Sequence, residues 1–468
     1  MRTIMAVFRL SALCLAAVAW CAAQQAPPPQ PGAAKPEAVQ PDLQNQPVQP
    51  QAPLYQPPES AVPADQMVPD DRPLSGILGL TLGTLKSRQN ILSISFSAGQ
   101  VFDSNPGILG RGTDYQGATS FSTGLHLKRN TRRGGLNLNY QAGGVIYNGN
   151  VNMNWFPQLD LSQSFTVRRW TFSVADRVDY TPGGGQVGGL GFASYGASFA
   201  SGGISSSLVP NQTIYTPQGS RLSNTVSGQV QYALGPRSSW TASLSYGNLY
   251  YPDGVLANSH QIDVRTGYNH ALTAKDSVTA FYDYARYQAG TGLGRTDSHS
   301  VQLGYARRVT GRLSWAVSAG PQISSAELRS DGANVSWTVS TTGQYQRGQM
   351  GVSFGYSHSL RDGAGVFDQT ETDTAQVGIS RTLFRTWTVG ASGSISKNQQ
   401  LGSASEFKSG VAGVQVHRSL GLRAGMYFNY AFQRQVGGGP CTGLLCAGLS
   451  RQVFGFGFDW QPRPWILQ

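Results

Sequence analysis

Six histidines, four cysteines and a thin scatter of carboxylates and guanidiniums are the groups in this chain that could do chemistry. His126, His260, His270, His299, His358 and His417 fall in six separate stretches, with no metal-ligand spacing among them. No Gly-rich phosphate loop is present, and Ser is so frequent that a Ser near a His carries no weight. Neither catalysis nor a metal or other cofactor is expected. Cys14 and Cys21 lie close to the N-terminus, whereas Cys441 and Cys446 share a Gly-containing loop segment. With no Cys-x-x-Cys spacing and no nearby His, the second pair reads as a disulfide of an exported chain.

The elements that must hold these groups repeat one pattern from about Asn90 to Trp460. Leu313, Trp315, Val317 and Ala319 alternate with Ser314, Ala316, Ser318 and Gly320; Val335, Trp337 and Val339 alternate with Ser336, Thr338 and Ser340. Period-two alternation puts one set on each face of a strand. Every strand has an apolar face, and the other face is almost all Ser, Thr, Gly, Asn and Gln. Charged residues make up 13% of the chain, against about 25% in ordinary soluble domains. No apolar run after the N-terminus is long enough for a membrane helix. A closed barrel is the other way to satisfy every backbone polar group in a bilayer. The expected fold is all-β, a transmembrane antiparallel barrel of about eighteen strands. It is preceded by a Pro/Gln-rich disordered segment.

The domain reading follows. Residues 1–23 read as a signal peptide: Met1-Arg2 and Arg9 are basic, Leu10 to Trp20 is a short apolar stretch, and Cys21-Ala22-Ala23 offers a cleavage site. Residues 24–73 read as a Pro/Gln-rich periplasmic linker that cannot bury a core. Residues 74–89 are expected to be an extra strand, a piece lying in the lumen or a short connector, and 90–468 form the barrel. The linker is expected either to be a spacer or to contact cell wall or an inner-membrane partner.

Turns fix the topology. Short ones, such as Gly235-Pro236-Arg237, Thr310-Gly311-Arg312 and Gln346-Arg347-Gly348, alternate without a break with longer connections. The short turns and both termini are therefore expected on the periplasmic side. Trp170, Trp240, Trp315 and Trp387 each begin a strand after a short turn, and Trp460 ends the last one. They are expected outward at one depth, as a membrane-interface girdle.

The last strand, Val453-Phe454-Gly455-Phe456-Gly457-Phe458-Asp459-Trp460, resembles the C-terminal insertion signal of outer-membrane barrels through Gly455, Phe458 and Trp460. Val453 stands where a polar residue is usual, and Gln461 to Gln468 runs past the usual end. The resemblance is to porin-like bacterial outer-membrane barrels as a superfamily. It implies location in the outer membrane and a water-filled channel, since a barrel this wide is not filled by its own side chains. The expected activity is passive diffusion of small polar, neutral solutes, with small sugars as candidates. Export of a polysaccharide or a structural, adhesive role are the alternatives.

The interior charges are few: Asp160, Arg177, Asp179, Asp263, Arg265, Asp283, Arg308 and Arg423. Arg177 with Asp179, and Asp263 with Arg265, stand two apart on single strands and are expected to project to one side. Each is either a self-neutralising pair that holds the wall or part of a charged constriction. The formal net charge of +11 does not point to nucleic acid. Much of the Arg lies at strand ends, where anionic lipid is the expected partner. The longest connection, about Thr181 to Ser220, has no charged residue and carries Phe192, Tyr195, Phe199 and Ile204. It is expected to fold into the barrel as a constriction.

Overall fold

The computed structural model describes residues 90–467, apart from 105–114, 132, 149–152, 182–219, 255, 291–293, 328–332, 364–366, 385, 402–404, 422 and 439–447. The expectations for 1–23, 24–73 and 74–89, for Phe192, Tyr195, Phe199 and Ile204, and for Cys441 and Cys446 lie outside the described residues.

Alternating residues form strands throughout. They are β1 (Asn90–Asp103), β2 (Gln116–Asn130), β3 (Gly134–Tyr147), β4 (Met153–Trp155), β5 (Gln158–Val167), β6 (Trp170–Thr181), β7 (Arg221–Ala233), β8 (Ser238–Tyr250), β9 (Ser259–Ala271) and β10 (Asp276–Ala289). The second half comprises β11 (Arg295–Arg308), β12 (Leu313–Ala326), β13 (Asn334–Arg347), β14 (Met350–Gly363), β15 (Phe367–Leu383), β16 (Trp387–Gln400), β17 (Glu406–Ser419), β18 (Ala424–Gly438), β19 (Leu449–Trp460) and β20 (Trp465–Leu467).

β4 and β5 are two halves of one strand. Both pair with β3 in a single register. The break falls at Phe156–Pro157, because Pro has no N–H for the ladder. The Phe156 ring lies over Gly143, where a Cβ would come within 2.2 Å of it. Counted so, eighteen strands run antiparallel, each beside its sequence neighbour, and β1 closes the sheet on β19. Following paired residues once around returns to β1 about 22 residues along. That stagger corresponds to a strand tilt of about 40° and a mean backbone radius of about 17 Å.

Connections differ at the two ends. At the turn end, β5 and β6 are joined by Arg168–Arg169, with Arg168 at φ 54°, and β13 and β14 by Gly348–Gln349, with Gly348 at φ 56°. Two-residue hairpins favour this left-handed backbone because its twist matches that of the strands. The longer connections all lie at the opposite, loop end.

The two faces invert the order of a soluble protein. Val301, Leu303, Val335 and Ile395 are 54–70% exposed on the outside. Ser298, Ser324, Thr370, Thr372 and Asn398 are buried on the inside. Such an outer surface requires an apolar surrounding, which a bilayer supplies. The C-terminal tail does not simply run past the barrel: β20 resumes pairing with Asn90–Leu92 of β1 after a one-residue slip at Gln461–Pro464.

Candidate channel lumen

The inward side chains divide into two arcs. Along β5–β9 most are half-exposed; along β10 and β11, and the loop-end halves of β12 and β15, they are buried. The cause is a pinch. β10 and β11 approach β15 across the interior to within 8 Å Cα–Cα, and the Tyr287 hydroxyl donates to the Leu360 carbonyl at 3.3 Å.

The charges gather on the open arc and at its border with β10. Arg177 Nε lies 3.5 Å from Asp160 Oδ1, and both side chains are more than a third exposed. Asp179 meets Arg221 at 3.8 Å. Arg265 donates to Asp283 at 2.6 Å, its guanidinium 4.9 Å above the Phe281 ring. Asp263 accepts from Gln261 at 2.6 Å and from Ser245 at 3.1 Å. These contacts correct the expectation of pairs within a strand: Arg177 is not bridged to Asp179, nor Arg265 to Asp263. Positions i and i+2 lie about 6.5–7 Å apart along a strand, whereas directly opposed residues stand at about 5 Å. Asp160 opposes Arg177, and Arg265 opposes Asp283, in the register itself. Arg308 and Arg423 are separate from this group, at the turn end.

The closed arc is largely neutral. Gln322 Nε2 donates to Ser298 Oγ at 2.8 Å, Ser318 to Gln302 at 3.3 Å, and Thr372 to Asn398 at 3.0 Å. Each of these bonds joins neighbouring strands of the wall, whereas the Tyr287 hydroxyl reaches across to the Leu360 carbonyl.

The seam between first and last strands is the most tightly tied part. Arg451 grips Asp103 through both Nε and a terminal nitrogen, with side chains 4% and 0% exposed. Beside them Val101, Ala118, Val145, Tyr147 and Val453 form an apolar cluster inside the loop end. Nearer the turn end, Tyr427 lies across the seam. Its hydroxyl stands where a Cβ on Gly99 or Gly457 would be, within hydrogen-bond reach of Ser97 and Ser120. His417 Nε2 meets Asp459 Oδ1 at 3.0 Å over Gly425. Sequence reasoning missed Asp103, Arg451, Arg221 and Tyr427. The glycines alternating at 455 and 457 were the signal that something large crosses there.

Outside, Trp170, Trp240, Trp315 and Trp460 are 37–48% exposed at the turn end, and Arg418 lies 5.1 Å over the Trp387 ring. Trp155 and Trp337, 53% and 56% exposed, face out at the loop end. Among the described residues no group of three or more His, Cys, Asp or Glu could hold a metal.

No protein-family model and no curated protein matches the sequence. Solved structures similar to it include OpdQ of Pseudomonas aeruginosa, with 9% identity over 80% of this chain and 99% of that one, at a TM-score of 0.42. OccAB3 of Acinetobacter baumannii has 8% identity over 80% and 99%, at 0.40. OccK2 of Pseudomonas aeruginosa in complex with glucuronate has 9% over 80% and 98%, at 0.39.

Proposed function

We propose that this chain is an outer-membrane channel through which small polar, uncharged solutes diffuse along the open arc. One observation carries the reading: the interior wall that stays half-exposed, β5–β9, combines Ser, Thr and Gln with charges that are mostly cancelled by a cross-strand partner. Hydroxyls and amides exchange hydrogen bonds with water or sugar hydroxyls without trapping an ion. Arg177–Asp160, Asp179–Arg221 and Arg265–Asp283 hold the wall and leave little net field, while Asp263 adds a slight preference for cations. Arg308 and Arg423 stand at the turn-end mouth.

In this reading the turn end and both barrel termini face the periplasm, and Trp170, Trp240, Trp315, Trp387 and Trp460 sit at the inner headgroup boundary. The connection from about Thr181 to Ser220 is the constriction, with Phe192, Tyr195, Phe199 and Ile204 against the wall. Its support is the absence of charge in that segment and the apolar cluster around Val101 and Tyr147. Cys441 and Cys446 are joined in the last loop at the cell surface.

Planar-bilayer recording of the refolded protein tests the channel. Stable steps with a reversal potential near zero under a salt gradient are expected; no conductance, or strong ion selectivity, refutes it. Replacing Gly184 to Pro217 by a short Gly-Ser bridge should raise conductance several-fold, and an unchanged value places that segment outside the pore. Labelling of Ala333→Cys but not Thr310→Cys on whole cells checks the orientation, with the parent chain as background.

A further inference from the structure

We infer that the outer surface carries, at its loop end, a seat for a phosphorylated glycolipid of the outer leaflet, built around Arg286 and Arg295. On β10 the outward positions are Tyr282, Tyr284 and Arg286; on β11 they are Arg295, Asp297 and His299. One carboxylate stands between two guanidiniums. Arg286 Nε donates to Asp297 Oδ1 at 2.7 Å and Arg295 Nε to Oδ2 at 3.0 Å, while the Tyr284 hydroxyl donates to Oδ1 at 2.7 Å. The cluster is fixed in place; its three charged side chains sum to one positive charge. Glu327, the residue after β12, stands opposite Arg295, its N–H bonded to the Arg295 carbonyl at 2.8 Å. Both arginines are substantially exposed, at 39% and 46%.

A shallow groove of about 630 Å³ is lined by Val264, Tyr282, Tyr284, Arg286, Asp297, His299 and Ser325; Arg295 does not line it but is tied to its wall through Asp297. Its lining is ordered by chemistry. Val264 and the rings of Tyr282 and Tyr284 offer apolar and aromatic surface, and the Arg286 guanidinium lies toward the loop end. Val301 and Leu303, strongly exposed further down β11, mark the acyl-chain zone. A guanidinium at mid-bilayer on a barrel's lipid face costs about 2–4 kcal/mol and near the interface about 0–1. Arg295 begins β11 and Arg286 lies near the end of β10, so both stand at headgroup depth. The guanidinium fork matches phosphate oxygens in pairs. A ligand joining phosphate, sugar ring and acyl chain in that order fits the groove along its length.

The arrangement recurs. On the outward face of β16–β17, at the same end, Glu406 lies between Lys408 at 3.0 Å and Lys397 at 3.8 Å. Between the two basic points, His358 is flanked by Asp373 at 2.8 Å and Glu371 at 3.3 Å. Among the described residues the rim is therefore not a uniform basic belt: cations gather at Arg286 and Arg295, and again at Lys397, Lys408 and the exposed Arg434 of β18, and the first group adjoins the aromatic groove.

The seat rests on the orientation proposed above, yet binding in detergent has no sides and tests it independently. Native mass spectrometry of the folded barrel should show a bisphosphorylated diglucosamine lipid bound roughly tenfold more tightly than its dephosphorylated form or phosphatidylglycerol. Arg286→Gln with Arg295→Gln should abolish that preference. Arg307→Gln, outward at the turn end, should keep it, and the double Lys variant should recover part of it. Equal binding of the dephosphorylated lipid or of phosphatidylglycerol overturns the seat, as does parent-like binding by the double Gln variant. Should that variant not fold, the comparison of lipids on the parent decides. Failure here with Ala333→Cys labelled on cells removes the seat and leaves the channel and its orientation standing.

Discussion

The inner walls of β5–β9 and of β10–β15 share the same alternation of apolar and small polar residues and end in opposite states. One faces an open interior, where its hydroxyls stay half-exposed and its charges pair across strands. The other meets a facing wall, and its hydroxyls are buried against each other. Composition along a strand does not decide this; the distance to the far wall does. The open arc takes long charged side chains because there is room for them. The closed arc is mostly Ser, Thr and Gln, with Phe281 and Tyr287 buried among them and Tyr287 spanning the gap to the facing wall.

The largest effect should come from setting an open-arc ion pair against the buried pair at the seam. Asp103→Ala leaves Arg451 as a desolvated, unpaired cation and should cost about 3–5 kcal/mol in urea unfolding from detergent. Asp160→Ala, facing an exposed Arg177, should cost less than about 1 kcal/mol. Equal costs would erase the distinction between the open arc and the seam. Next come paired insertions of bulk. Ser324→Phe on the closed arc should destabilise by about 1–3 kcal/mol through overpacking, with conductance unchanged. Ser243→Phe on the open arc should lower single-channel conductance with stability held within about 0.5 kcal/mol. An exchange of those two outcomes would put the pore on the other side of the pinch. The smallest effect concerns charge alone: Asp263→Asn should move the reversal potential by roughly a few millivolts away from cation preference, and Arg265→Gln should move it the opposite way. No response to either would remove β9 from the conduction path.

Much of this architecture was legible in the chain because water and lipid stamp a period of two on every strand, and turn length alternates with it. Eighteen strands and their order followed from residues such as Trp315, Val317 and Ser318. The ion pairs were misread because register is not local: nothing near Arg177 says that Asp160 will stand opposite it. The pinch was invisible because Ser298 reads the same whether it faces water or Gln322. Pro157 interrupts its strand, and the pairing of β4 and β5 with β3 shows that the register survives it. Asp103 and Arg451 are 348 residues apart, and their meeting is a property of closure rather than of any segment.

β20 places Leu467 opposite Asn90, so the barrel's two ends meet across one strand spacing. A ring of that kind has no privileged first strand. Joining 467 to 90 through a short linker and cutting any loop instead would leave every neighbouring pair intact. What such a circular permutant would change is the timetable of assembly. In the natural order the joint of β1 with β19 can form only after all the intervening strands have been laid down. That delay gives a reason for the joint to carry a buried ion pair at one end, a tyrosine across two glycines along its length, and a clasp of three more residues at the other.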